Sequence, residues 1–259
     1  MKILNNQLNI NAFFSSLSAT PLPLLLLDYD GTLSPFTPDR DHAYPYNGVV
    51  SRLNNIMATT RTKIIIITGR SIDDLLNLLQ LESLPEIWGG HGFEHILPSG
   101  KRFTTPLKSD VTDALLAYKK AITDNGLLPY CESKPAGFAV HWRGLSQAMV
   151  ATVRNKLIRI SASINHPALE IQHFDGGMEL RHAGINKGFV VDTILSDQQK
   201  TFSVAYLGDD LTDEDAFKKI GNKGLKVLVR REIRTTLADL QLTPPEDLIW
   251  FLDNWLKNV

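Results

Sequence analysis

Short, continuous apolar runs punctuate the chain at Leu24 to Leu27, Ile64 to Ile67, Val204 to Leu207 and Val227 to Val229, each bounded by polar residues or glycine. A strand with one wet face would alternate apolar and polar positions. Unbroken runs predict strands buried on both faces, as in parallel sheets. Helical patterns lie between the runs. Ser71 with Asp74 resembles a capping box ahead of Leu75, Leu76, Leu78 and Leu79, and Thr212 with Asp215 repeats the pattern ahead of AFKKI. Strands alternating with helices predict βαβ units and an α/β, doubly wound, mostly parallel sheet.

The middle of the chain reads differently. YCES and GFAVHWR are separated only by Lys134, Pro135 and Ala136, and ALEIQHF and MELRH only by Asp175, Gly176 and Gly177. Such short connections favour antiparallel hairpins. Two helices are predicted among them. One spans Ser109 to Asn125, and the other carries Val150, Val153, Leu157, Ile160 and Ile164 at helical spacing, an apolar stripe expected to be core. An α+β domain over residues 99–180 is therefore expected to be inserted into an α/β core made of residues 1–98 and 181–259.

Composition narrows the setting. Length, 43% hydrophobic and 21% charged residues suit a globular protein with a substantial core, and a net charge of −1 gives no global pull toward nucleic acid or an anionic membrane. Cys131 is the only cysteine, so no internal disulfide can form, which fits a reducing compartment. The N-terminus lacks a basic region followed by an apolar stretch, and Leu22 to Leu27 is far short of the roughly 20 apolar residues a membrane span needs. A soluble, cytoplasmic protein is expected, with no nucleic-acid or membrane partner.

The candidate chemistry sits directly after the apolar runs. Asp28 and Asp30 come after the first, Thr68, Gly69 and Arg70 after the second, and Gly208, Asp209 and Asp210 after the third. Open α/β sheets bind ligands beyond the carboxyl ends of their strands, so these groups converge on one edge. Crowded carboxylates resist ionisation unless a cation sits among them, and hard oxygen ligands suit Mg²⁺. Lys187 comes after Asn186, a candidate N-cap, and a lysine at a helix start opposes the helix dipole unless a bound phosphate or an aspartate offsets it. A P-loop NTPase is excluded by the absence of G-x-x-x-x-G-K-[ST].

DYDGT (Asp28 to Thr32), Thr68 after a strand, Lys187 ahead of a helix and GDDLTDEDAF (Gly208 to Phe217) resemble, in order and strand context, the four motifs of haloacid dehalogenase-type phosphatases. Within that superfamily LDYDGTLSPF, ITGR, GGHGFEH, VHWRG, GINKG and YLGDDLTDEDAF resemble the trehalose-6-phosphate phosphatases, with Gly90 standing where serine is more usual. The resemblance implies a haloacid dehalogenase-like core, a cap that covers the site and chooses the substrate, and Mg²⁺ as cofactor. It implies Asp28 as nucleophile, Asp30 as general acid and base, Thr68 on a phosphoryl oxygen and Lys187 neutralising charge. Metal binding would fall to Asp28, the backbone carbonyl of Asp30, and Asp209, with Asp210 and Asp213 as further or water-mediated partners.

Glu214 and Asp215 read as acids that favour a helix N-terminus rather than as site residues. For the sugar, Gly69, Arg70, His91 and Glu94 are candidates on the core side, and Glu132, Lys134, His141, Arg143 and Glu179 in the cap. Strand alternation puts His141 and Arg143 on one face and Trp142 on the other, in the cap core. His42, His95, His166 and His173 show no partner pattern and are expected at the surface. The substrate expected is trehalose 6-phosphate, handled by a monomer. Sucrose phosphate or a glycosyl-phosphoglycerate, a phosphotransferase or mutase, and a non-catalytic regulatory domain are the alternatives.

Overall fold

The computed structural model describes the chain except residues 38, 135, 164–165, 175 and 197–202. Ile164 of the apolar stripe, and Pro135 and Asp175 of the two hairpin turns, lie outside the described residues. In chain order the strands are β1 (Lys2–Ile3), β2 (Leu24–Leu27), β3 (Lys63–Ile67), β4 (Glu86–Gly89), β5 (Glu94–Ile96), β6 (Arg102–Thr104), β7 (Cys131–Lys134), β8 (Gly137–His141), β9 (Leu169–Phe174), β10 (Gly177–His182), β11 (Val204–Gly208), β12 (Leu225–Val229) and β13 (Leu240–Leu242). The α-helices are α1 (Ile10–Ala19), α2 (Val49–Thr59), α3 (Ile72–Leu78), α4 (Ser109–Asp124), α5 (Gln147–Ser163), α6 (Lys187–Ser196), α7 (Asp213–Ile220) and α8 (Glu246–Asn258).

One unit comprises Met1–Phe103 and Lys187–Val259, the other Thr104–Asn186. The crossings fall about five residues later than the 98/99 and 180/181 read from the sequence. A cut at 180 would sever β10, which stays paired with β9 as far as His182. The first unit is built on a nine-stranded sheet in the order β1-β13-β12-β11-β2-β3-β4-β5-β6. The six strands from β13 to β4 run parallel, and antiparallel β1 and β5 flank them. The chain winds outward from the centre both ways, from β2 to β3 and β4, and from β11 to β12 and β13. The switch point therefore lies between β2 and β11, where such sheets bind ligands.

Both faces of this sheet are covered, which is why the strands read as solid apolar runs. Leu25 and Leu27 pack with α1, α2, α3 and α8, while Leu24 and Leu26 pack with α6 and α7. All four leucines are fully buried, each contributing about 1.5–3 kcal/mol by leaving water. The period of two then points position 28 to the α6 and α7 side. Ser71 caps α3 as the sequence predicts, its hydroxyl accepting from the Asp74 N–H. Thr212 makes no such bond at α7 because its own backbone is already helical, and Asp213 takes over the local donors.

The second unit pairs a four-stranded antiparallel sheet, β7-β8-β10-β9, with two helices. Phe138, Val140, Met178 and Leu180 face Val111, Leu115, Tyr118 and Ile122 of α4 and Val153, Leu157 and Ile160 of α5. Registers place Glu132, Ala139, Glu179 and Gln172 abreast on the opposite face. No helix among the described residues is long and apolar enough to cross a membrane.

Candidate active site

The first unit gathers its charge at the switch point. Asp28, just past β2, is 4% exposed, and Lys187, at the first position of α6, is 3% exposed. Lys187 Nζ donates to Asp28 Oδ1 at 2.6 Å and to Asp213 Oδ1 at 2.7 Å. Those aspartates offset the unfavourable helix dipole. Burial alone would lower the Lys187 pKa, but the two neighbouring carboxylates outweigh it and raise it, so the ammonium stays charged. The Thr32 hydroxyl donates to Asp28 Oδ2 at 3.2 Å. Burial raises Asp28 and Lys187 pulls it back, leaving it at about 7.

Asp213 is the hub of the cluster. Its Oδ1 accepts from Lys187 and from the Tyr206 hydroxyl at 2.7 Å, and its Oδ2 accepts from the N–H groups of Asp209 and Asp210 at 3.0 and 2.9 Å. Four donors more than offset its burial and hold its pKa below the carboxylate range. Gly208 permits this fold-back, because a Cβ there would lie 2.3 Å from Asp213 Cγ. Asp209 contrasts with it. Burial, then Asp28, Asp213 and Asp210, push its pKa well above normal, and among the described residues no hydrogen bond reaches its carboxylate. Gly31, at φ +81°, lets the loop after β2 pass beside it, since a Cβ would meet Asp209 Oδ2 at 2.3 Å.

Carboxylate oxygens of Asp28, Asp209 and Asp213 lie within 4.8 Å of one another. Three carboxylates against one ammonium leave a net −2 when all are ionised. The unbonded, destabilised Asp209 therefore fits a divalent cation. Asp30 and Asp210 offer no carboxylate to this group. Asp210 Oδ1 accepts from the Leu211 N–H at 2.8 Å. Asp30 is held by Arg70, whose Nε and Nη2 reach its two oxygens at 2.7 and 2.6 Å.

That pairing changes the reading of the second motif. Arg70, expected on substrate, is 3% exposed and spent on Asp30 and on the Arg40 carbonyl. Thr68 is fully buried, and its Oγ1 accepts from the Arg70 N–H at 3.1 Å, which leaves its own O–H to donate. Two backbone bonds, Gly90 N–H to Arg70 O and His91 N–H to Thr68 O, lace the loop after β4 onto this one. His91, at φ +57°, thereby rests its ring against Gly69, where a Cβ would come within 2.7 Å of it. Glu94, a candidate for the sugar, is engaged by α3. Its Oε2 accepts from the Ile72 N–H at the start of α3, where a carboxylate meets free donors and a positive dipole end. His95, expected at the surface, stacks on Trp88 at 3.8 Å and bonds to buried Glu86.

In the second unit Lys134 Nζ donates to Glu179 Oε2 at 2.7 Å, and His141 Nε2 pairs with Glu132 Oε2 at 2.8 Å. Glu179 is 4% exposed. Arg143 does not share the alternation with His141, because β8 ends at His141 and Arg143 stands exposed in the turn beyond. Trp142 is half-buried against the apolar cluster, as its parity predicts.

Sequence reasoning missed Tyr206, Thr32 and Arg234. A lone phenol inside VAYLG was a signal, because a buried hydroxyl needs a partner. Thr32 sits within DYDGT and could have been read with it. Arg234, which reaches the loop after β11 from beyond β12, carried no local signal.

Comparison with known proteins points to one family. A trehalose-phosphate phosphatase of Mycobacterium marinum is 30% identical over 242 residues, covering 87% of this chain and 59% of the relative. The chain thus spans about three fifths of the length of that relative. The Candida albicans trehalose-6-phosphate phosphatase C-terminal domain superposes with a TM-score of 0.79 at 20% identity, covering all of both chains. A haloacid dehalogenase-like hydrolase from Bacteroides thetaiotaomicron gives 0.63 at 18% identity over 90% of this chain and 98% of its own. These two likenesses speak for the fold, a haloacid dehalogenase-like α/β core with an inserted α+β unit. The trehalose-phosphatase family model matches residues 26–241, and the chain belongs to that family.

Proposed function

We propose that the chain hydrolyses trehalose 6-phosphate to trehalose and phosphate, with Mg²⁺ as cofactor and an aspartyl-phosphate on Asp28 as intermediate. The observation that carries this reading is the buried Asp28–Lys187 contact of 2.6 Å, with Asp209 within 4.8 Å. The names of the relatives supply the substrate.

Asp28 is the nucleophile. Lys187 favours its ionised form against the pull of burial, and the same ammonium neutralises phosphoryl oxygens as they approach. The Thr68 hydroxyl donates to a phosphoryl oxygen. Asp30 protonates the leaving sugar oxygen, then takes a proton from the hydrolytic water. To do so it exchanges an Arg70 bond for one to substrate, as its carboxylate is 33% exposed while Arg70 is not. Asp28, Asp209 and the Asp30 carbonyl would hold the cation, which supplies charge stabilisation for phosphoryl transfer. Asp213, its oxygens already occupied, orients Lys187 and the Asp209–Asp210 turn. Lys134, Glu179, Glu132 and His141 are the hydrogen-bonding set that the second unit offers to a sugar. The single Cys131 can form no internal disulfide, which suits a reducing, cytoplasmic setting.

Phosphate release across a panel of sugar phosphates tests the reading. It is expected to require Mg²⁺ and to give its highest kcat/KM with trehalose 6-phosphate. An equal or higher value on sucrose phosphate or glucosyl-phosphoglycerate would overturn the substrate, and transfer to a sugar acceptor instead of water would make the chain a phosphotransferase. Asp28→Asn is expected to abolish turnover, and retained turnover would remove Asp28 as nucleophile.

A further inference from the structure

Asp209 lies in a segment with five acids in seven residues, Asp209 to Asp215. A turn so charged needs something to hold its shape. Asp213 fixes one side of it by accepting both N–H groups of the Asp209–Asp210 pair. The carbonyls on the other side converge on one guanidinium. Arg234, in the loop between β12 and β13, donates Nη2 to Asp210 O at 2.7 Å and Nε to Asp209 O at 3.4 Å. Its Nη1 bonds to Glu214 and to the Thr235 carbonyl at 2.9 Å. Glu214 in turn accepts from the Leu237 N–H at 2.8 Å, so its carboxylate ties α7 to the same loop. The Arg234 side chain is 16% exposed. Glu214 is thus more than an acid suited to a helix start.

We propose that Arg234 is a positioning residue for the cation: by pinning the Asp209 and Asp210 carbonyls opposite the Asp213-held amides, it aims the Asp209 carboxylate at the metal. A guanidinium presents five donors in a rigid fork, so it can hold three carbonyls and a carboxylate at once, one acceptor more than a lysine's three donors can serve. Its charge also sits against the turn's carbonyls and Glu214, where it offsets the local excess of acids. The proposal rests on the reading that Asp209 binds a divalent cation.

Calorimetric titration of the full chain with Mg²⁺ tests it, comparing wild type with Arg234→Gln, Arg234→Lys and Asp209→Asn. Wild type is expected to bind, Asp209→Asn to lose binding, and Arg234→Gln to bind roughly tenfold more weakly, the scale on which outer partners of metal ligands act. Arg234→Lys is expected to fall between wild type and Arg234→Gln. In turnover, the Mg²⁺ concentration for half-maximal rate should rise for Arg234→Gln while KM for the sugar phosphate at saturating Mg²⁺ stays put, a split that general destabilisation would not give. Wild-type Mg²⁺ affinity in Arg234→Gln, with binding lost in Asp209→Asn, overturns the role of Arg234 and leaves the metal reading standing. Undiminished binding in Asp209→Asn overturns the metal reading itself. Circular dichroism without metal checks folding; if Arg234→Gln is unfolded, Arg234→Lys decides, with unchanged affinity counting against the proposal.

Discussion

Lys187 and Asp213 show how single residues share a buried charge. The ammonium stands between Asp28 and Asp213, yet burial wins at Asp28 and loses at Asp213. The difference lies in the other donors. Asp213 has two backbone N–H groups and the Tyr206 phenol, whereas among the described residues Asp28 has only the longer bond from Thr32. That asymmetry suits a nucleophile, which must be ionised but not over-stabilised. Tyr206 is fully buried, and burial and neighbouring acids hold its phenol in the neutral, donating form. Tyr206→Phe removes one donor from Asp213 and keeps the ring. It is expected to cost ~1.5–3 kcal/mol in urea unfolding, the range for a hydrogen bond to a charged group. Because Lys187 then answers more to Asp213 than to Asp28, kcat should fall while KM for the sugar phosphate holds. A raised KM with kcat unchanged would contradict this role.

At the scale of elements, legibility followed burial. β2, β3, β11 and β12 were readable because both their faces are dry, and the hairpins β7–β8 and β9–β10 because short turns leave no other route. Asp28, Thr68, Lys187 and Asp209 were readable because each comes just after a strand or opens a helix. The unreadable contacts depend on partners distant in sequence. Arg70, read as a ligand for substrate, is bound by Asp30, and Glu94, read likewise, is bound by the start of α3. β4 escaped notice because it begins with a charge. Glu86 is nonetheless buried, and its carboxylate ties three strands together: Lys63 of β3 at 2.6 Å, Trp88 of β4 at 3.0 Å and His95 of β5 at 3.0 Å. Burial raises the Glu86 pKa, but bonds from His95, Lys63 and Trp88 overcome it and bring it from an ordinary 4.5 down to about 2. A carboxyl that ionises more easily folded than unfolded stabilises the fold above its unfolded pKa, and that stability drains away as pH falls toward the folded value. The interval from 4.5 to about 2, at about 1.4 kcal/mol per pH unit, sets a ceiling of about 3 kcal/mol. Glu86→Gln should therefore melt below wild type at neutral pH, with the gap narrowing as pH is lowered through that interval. A gap that does not change with pH would mean the carboxylate charge is not what binds these strands.

At the scale of the molecule, two units carry two kinds of polar group. The first concentrates charge: Asp28, Lys187, Asp209 and Asp213 are all 4% exposed or less, on elements fixed by two apolar clusters. The second is a single insertion with its own apolar cluster on one sheet face and paired polar groups on the other. Such pairs suit a ligand rich in hydroxyls, since a carboxylate and an ammonium can each turn a bond from one another to a sugar. On the proposed function the phosphoryl chemistry draws on the first set alone, so the two should separate under mutation. Lys134→Gln leaves buried Glu179 with a neutral neighbour in place of its ammonium. It is expected to raise KM for trehalose 6-phosphate by roughly tenfold, the scale of one charge-assisted hydrogen bond. Hydrolysis of p-nitrophenyl phosphate, which has no sugar to recognise, should be unchanged. Asp209→Asn should instead depress both reactions together. Equal losses on both esters in Lys134→Gln, with circular dichroism unaltered, would show that the polar face of the second unit serves the chemistry rather than the choice of sugar.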